Sequence, residues 1–153
     1  MDRPKCVVHP VSDVIRSQFD EYFAGKRFVF NIRLSLEGVT SFCAAVYKAL
    51  ERVSHGEVCT YKDMARWVGI VGGARAVGQA LRRNPLPIVI PCHRVIASDG
   101  SLGGFSLGLY VKRWLIEREK KGAEPLLGAQ CTPGPLGPFL RSLVWLIYAT
   151  SLQ

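Results

Sequence analysis

The chain's 153 residues carry 20 Lys and Arg against 12 Asp and Glu, a net charge of +8, with 48% hydrophobic residues. That balance excludes disordered and fibrous architectures and suits one ordinary domain or two small ones, and no apolar run reaches the roughly 18 residues of a membrane span. Cys6, Cys43, Cys59, Cys92 and Cys131 are odd in number and scattered, so reduced thiols are expected, and the Cys6-Val7-Val8 stretch is too short for a signal peptide. An intracellular placement follows, cytoplasmic or, in a eukaryote, nuclear.

In chain order, residues 14–25 predict a helix, with Ile15, Phe19 and Phe23 recurring every four positions and Gly25 at the stop. In 28–34, Phe28, Phe30, Ile32 and Leu34 alternate with Val29, Asn31 and Arg33, the period of a half-buried strand. After Gly38, Thr40 and Ser41 can cap a helix whose Phe42, Val46, Ala49, Leu50 and Val53 share one face. Thr60 with Asp63 three residues on reads as a capping box for a short helix carrying Tyr61, Met64 and Trp67. Gly69, Gly72 and Gly73 part it from a second short helix at 74–83, which stops because Pro85 follows Asn84. Two short helices across a glycine turn, the second basic, outline a helix-turn-helix, although a plain surface hairpin has the same outline.

Ile88-Val89-Ile90 suits a buried strand delivering the chain to Pro91-Cys92-His93-Arg94. A last helix is expected over 109–121 with Leu109, Val111, Trp114 and Leu115 inward and Glu119 near its end. Residues 122–138 hold four Gly and four Pro and read as a linker, followed by an apolar tail.

The distribution of charge narrows the function. Met64 to Ser98 contains no Asp or Glu, yet holds Arg66, Arg75, Arg82, Arg83 and Arg94. Arginine rather than lysine favours forked hydrogen bonds to phosphate or a base edge, so this window is a candidate nucleic-acid footprint. Ala74, Ala76 and Gly78 leave the second helix little bulk, which permits close approach to a groove; Gly78 otherwise costs up to ~1 kcal/mol relative to Ala. Cys92 lies just beyond, where positive charge would favour the thiolate. A cysteine ending an apolar run is more often structural, but His93 beside it and Glu119 in the next helix form a possible Cys-His-Glu constellation for activating a thiol.

Gly-Glu-Val-Cys-Thr-Tyr at 56–61, Ala-Arg-Ala-Val-Gly at 74–78, Arg-Asn-Pro at 83–85, Ile-Pro-Cys-His-Arg-Val at 90–95, Gly-Gly-Phe-Ser at 103–106 and Lys-Arg-Trp-Leu-Ile-Glu-Arg-Glu at 112–119 stand in a fixed order. Together they resemble the O6-alkylguanine-DNA alkyltransferases over about 80 residues. The resemblance implies an α/β (α+β) fold: a reduced ribonuclease-H-like N-terminal part at 1–38, a winged-helix-like helix-turn-helix domain for DNA binding and catalysis at 39–121, and a linker and tail of unknown role at 122–153.

It further implies DNA repair by single-turnover transfer of a methyl or other alkyl group from O6 of guanine, with O4 of thymine as a further substrate, to Cys92. His93 would deprotonate Cys92 through a water, Glu119 would hold the imidazole, and Tyr61 would donate to the flipped base. Ser106 would bond O6, and the carbonyls of Cys92 and Val95 would accept from the exocyclic amine. Arg75 would fill the place of the extruded base, Ala74, Ala76 and Gly78 would line the minor groove, and Arg82, Arg83 and Arg94 would serve DNA binding. Asn84 would support the turn. No cofactor or metal is implied, the partner is double-stranded DNA, no membrane is involved, and a monomer is expected.

Cys6 and His9 do not match the zinc site of some relatives. Phe105, where many have Tyr, and Leu107, often a small residue, suggest a narrower pocket favouring methyl adducts. Two rivals remain: a non-enzymatic alkyltransferase-like lesion binder, which usually lacks the cysteine, and a cysteine hydrolase, whose oxyanion hole the sequence does not signal.

Overall fold

The computed structural model describes residues 13–123, which fall into two compact units, 13–37 and 38–123. The linker and tail beyond 123, Cys131 and the Cys6 and His9 pair lie outside the described residues. The described chain is mostly helical with one small parallel sheet.

In the first unit, α1 (Asp13–Phe23) opens on an acidic residue, which suits the positive end of the helix dipole, and stops at Gly25 with φ 74°. It buries Gln18, Phe19, Tyr22 and Phe23. The strand expected over 28–34 does not form. Phe30 does turn toward α1, its ring 4.8 Å from Phe19 and 5.2 Å from Tyr22. In place of a strand partner, one side-chain amide serves Asn31: Gln18 Oε1 accepts from the Asn31 N–H at 2.7 Å and Gln18 Nε2 donates to its carbonyl at 3.2 Å. The alternation is therefore that of a single extended segment lying on a helix. With no strand among the described residues of this unit, the ribonuclease-H-like sheet expected here is not found in them.

The second unit begins with α2 (Ser41–Ala49), capped by Thr40, whose Oγ1 accepts from the Cys43 N–H at 3.3 Å. A 3-10 turn at Leu50–Arg52 carries the apolar face through to Val53. β1 (Cys59–Thr60) runs into α3 (Tyr61–Trp67), where the capping box is complete: Thr60 Oγ1 accepts from Asp63 N–H and Asp63 Oδ2 from Thr60 N–H, each at 3.1 Å. The turn that follows uses Gly69 and Gly72 at φ 77° and 72°, and α4 (Ala74–Arg82) packs on α2 and α3 through Val77, Ala80 and Leu81.

The strand expected at 88–90 is instead a tight turn. Ile88 sits at φ 79°, a left-handed conformation costing a β-branched residue about 1–3 kcal/mol. Pro85, Pro87 and Pro91 remove the donors that a ladder would need, while burial of Ile88 and a bond from Ile90 N–H to the Leu86 carbonyl hold the turn closed.

A 3-10 turn at Cys92–Arg94 then leads into β2 (Val95–Ile96), which pairs in parallel with β1. α5 (Leu109–Ala123) closes the unit. It buries Val111, Lys112, Leu115, Ile116 and Glu119; Leu109, expected inward, is 52% exposed because it stands in the first turn, beyond the core. Val46, Leu50, Met64, Val77, Val95 and Leu115 are fully buried, each contributing roughly 1.5–3 kcal/mol by removal from water. No helix among the described residues is long and apolar enough to cross a membrane.

Candidate active site

A cavity of about 1210 Å³ opens between α2, α4 and the loops around Cys92 and Ser106. α4 lines one side with Ala74, Arg75, Gly78, Arg82 and Arg83; Cys43 and Tyr47 come from α2, Tyr61 from α3, and Phe105 and Ser106 from the loop before α5. Cys92 also lines it. Ala76, on α4, is exposed but outside the lining, and Leu107, expected to narrow the pocket, does not line it either.

Cys92 is buried, and its sulfur accepts a hydrogen bond from Asn84 Nδ2 at 2.9 Å. The same amide donates to the Ile90 carbonyl at 2.9 Å and accepts from Leu86 N–H at 3.0 Å, so fully buried Asn84 ties the end of α4, the strained turn and the thiol together. The expectation that nearby arginines would favour a resting thiolate is not met. Burial pushes the Cys92 thiol up to about 11, outweighing the opposing pull of Asn84 and Lys112.

His93 is fully buried, with Nε2 2.9 Å from Glu119 Oε1. An ionised carboxylate only accepts, so Nε2 carries the proton and Nδ1 offers its lone pair. Nδ1 has no hydrogen-bonding partner among the described residues. Burial holds the imidazole below its ordinary pKa despite Glu119, leaving it neutral near pH 7 and able to take a proton. Burial alone would raise the Glu119 carboxyl, but His93 and Arg94 hold it well below the usual carboxylate range.

Arg94, expected to serve DNA binding, is instead buried and committed to the protein. Its Nε and Nη2 donate to Glu119 at 2.8 and 3.0 Å and its Nη1 to the Val53 carbonyl at 2.8 Å, so its fork has no face left for a phosphate. Gly56 N–H donates to Glu119 as well, at 3.2 Å, and His55 Nε2 stands 4.0 Å from it. The carboxylate is thus a hub for two imidazoles and a guanidinium.

Tyr61, half-buried, donates to the Gly104 carbonyl at 3.4 Å. Gly103, at φ 65°, is needed there, since a Cβ would lie 2.8 Å from the Tyr61 hydroxyl. Ser106 Oγ is buried in the cavity wall with no partner among the described residues. Val95 is not brought to the cavity: it is fully buried and its carbonyl accepts from Lys112 Nζ at 2.6 Å.

Sequence reasoning assigned Lys112 no role. Its signal was the helical spacing, since 112, 116 and 119 share a face and Ile116 and Glu119 are both buried. No group of three or more His, Cys, Asp or Glu among the described residues could hold a metal ion.

Residues 41–121 match the sequence model of the DNA binding domain of 6-O-methylguanine DNA methyltransferase. The chain is 47% identical over 103 residues to the methylated-DNA--protein-cysteine methyltransferase of Methanosarcina barkeri, covering 67% of this chain and 65% of that protein. The Mycobacterium leprae protein of the same name is 48% identical over 104 residues, covering 68% of this chain and 62% of its own length. The chain therefore spans slightly less than two-thirds of these relatives.

Among solved structures, Mycobacterium tuberculosis O6-methylguanine methyltransferase matches with TM-score 0.70 and 41% identity, covering 78% of this chain and 72% of that one. The Mycobacterium tuberculosis OGT solved in complex with DNA matches with TM-score 0.73 and 36% identity, covering 91% and 81%. With the matched domain taking up more than half its length, the chain belongs to the 6-O-methylguanine DNA methyltransferase family.

Proposed function

We propose that the chain repairs DNA by moving a methyl or other alkyl group from O6 of guanine to Cys92, once per molecule. The observation that carries this is a cavity holding a buried thiol, followed directly by an imidazole whose proton sits on the Glu119 side. His93 Nδ1 takes the thiol proton through a water, the sulfur attacks the alkyl carbon, and a C–S bond forms as the C–O6 bond breaks. The base leaves as guanine by taking a proton from the Tyr61 hydroxyl at the cavity wall, and the proton held by His93 returns through water to the tyrosinate, so that the net transfer is from sulfur to base. Ser106 offers an unused hydroxyl to O6. The thioether is not hydrolysed, so no second cycle follows.

The target atom lies inside a stacked duplex, and the nucleotide must be flipped out at a cost of a few kcal/mol. The pair α3 and α4, a helix-turn-helix within a winged-helix-like domain at 39–121, would place α4 in the minor groove of double-stranded DNA. Ala74, Ala76 and Gly78 then keep its surface low, Arg75 occupies the vacated stack, and Arg82 and Arg83 meet phosphates. The protein would act as a monomer. A preference for methyl over benzyl adducts now rests on Phe105 without Leu107, and the ratio of the two transfer rates measures it.

Incubation with duplex DNA containing O6-methylguanine, followed by peptide mass mapping, tests the reading. One methyl per chain on Cys92, absent in C92S, is expected. Binding without modification would favour the lesion binder, and an unmodified protein that does not bind would overturn the repair reading.

A further inference from the structure

Lys112 is fully buried on α5, and no carboxylate pairs with it among the described residues. Its Nζ donates to three carbonyls, those of Val95 at 2.6 Å, Gly104 at 3.3 Å and Leu102. An ammonium has three protons for three acceptors, whereas a neutral amine would leave one carbonyl unserved and turn a lone pair toward it. Two of the three, Leu102 and Gly104, flank Gly103, the residue that fits against the Tyr61 hydroxyl. The Gly104 carbonyl also accepts from Tyr61 itself, whose ring lies 5.7 Å from Nζ.

The titratable groups facing this ammonium are Cys92 from the 3-10 turn, Cys59 from β1, Tyr61 from α3 and, next to Cys92, His93. A buried cation ordinarily has a buried anion beside it. Here the groups able to take that part are thiols, of which Cys92 is the one that lines the cavity.

We propose that Lys112 is a positioning residue for the transfer reaction: as an ammonium it clamps the Val95 to Gly104 loop so that Tyr61 is seated over the cavity, and it furnishes the buried positive charge against which Cys92 ionises. The proposal rests on the alkyl-transfer reading. Burial pushes Lys112 down to about 8, so the clamp and the charge weaken together just above neutrality. Transfer then rises with pH as Cys92 becomes easier to ionise and falls as Lys112 loses its proton.

The test compares wild type, K112R and K112M between about pH 6 and 10. Three quantities are read: single-turnover methyl transfer from an O6-methylguanine duplex, alkylation of Cys92 by iodoacetamide without DNA, and duplex affinity. Wild type is expected to show an alkaline fall near pH 8 that K112R abolishes. K112M is expected to transfer about 10–100-fold more slowly and to alkylate about tenfold more slowly at pH 8, one pKa unit being tenfold, with duplex affinity unchanged within about twofold.

A shared pH profile in all three proteins, or wild-type transfer by K112M, overturns the proposal. Should K112M not fold, the wild-type and K112R profiles decide by the same criterion. If wild type takes no methyl group yet its alkylation keeps the lysine dependence, the alkyl-transfer reading falls while the coupling of Lys112 to Cys92 is supported.

Discussion

Asn84 shows how much one side chain can carry. Replacing it by Ala would strand the Leu86 N–H in a dry interior, leave the Ile90 carbonyl with only the Cys92 N–H as donor, and remove the donor to Cys92. An unsatisfied buried group costs about 1–3 kcal/mol, so a loss on the order of 2 kcal/mol is expected in urea unfolding. Asn84→Asp isolates the electrostatic part: it keeps the shape but sets a negative charge where the sulfur now receives a hydrogen bond. The thiol should ionise still less readily, and iodoacetamide should label Cys92 at pH 8 at least about tenfold more slowly than in wild type. Labelling at the wild-type rate would mean that the bond at 2.9 Å has no influence on the sulfur.

At the scale of elements, the proposed docking of α4 can be tested apart from its stability. A methyl group at Gly78 would meet only the Tyr61 ring edge, at 3.9 Å, an ordinary contact. Gly78→Ala should therefore raise stability by about 1 kcal/mol through helix propensity while weakening duplex binding. Unchanged affinity would remove the argument that α4 keeps its surface low for a groove. Arg82→Ala should flatten the dependence of log affinity on log salt by about 0.9 if it meets one phosphate, and a titration of binding against salt measures this.

Much of this architecture was legible: the Thr40 cap, the Thr60 and Asp63 box and the glycine turn are local chemistry, and local chemistry survives in the fold. Two segments misled for a common reason. Apolar alternation at 28–34 and the apolar run at 88–90 describe which side chains seek cover, and cover came from a helix and a turn rather than from neighbouring strands. Arg94 misled because a sequence records charge and not its partner, and that partner, Glu119, stands 25 residues away. Cys92, His93 and Glu119 were legible as a possible constellation from the residues themselves, and the family resemblance gave each a role; without it Glu119 read as a solvated helix-end carboxylate.

For the whole molecule, acid is the expected point of weakness. His55 and His93 resist protonation in the folded state, chiefly through burial, whereas in the unfolded chain they take protons near pH 6.5. The unfolded state then binds more protons, so stability falls as pH drops below about 6.5. Glu119 adds to the loss below its unfolded value of 4.5, because folding holds it ionised. Melting temperature should be level between about pH 7 and 8, decline from pH 6.5 downward and steepen below 4.5, with His55→Phe softening the first decline. A level melting temperature between pH 7 and 5 would contradict this. The resting state of Cys92 has a different meaning under the proposed transfer, in which each molecule would be used once. Burial holds the thiol well above its ordinary value, so the resting sulfur stays protonated at pH 7. A protein acting in that way would spend nearly all its existence waiting, and peroxides or stray electrophiles reaching a standing thiolate would consume it without benefit. Keeping the sulfur protonated and enclosed until a base is delivered would then exchange intrinsic speed for shelf life.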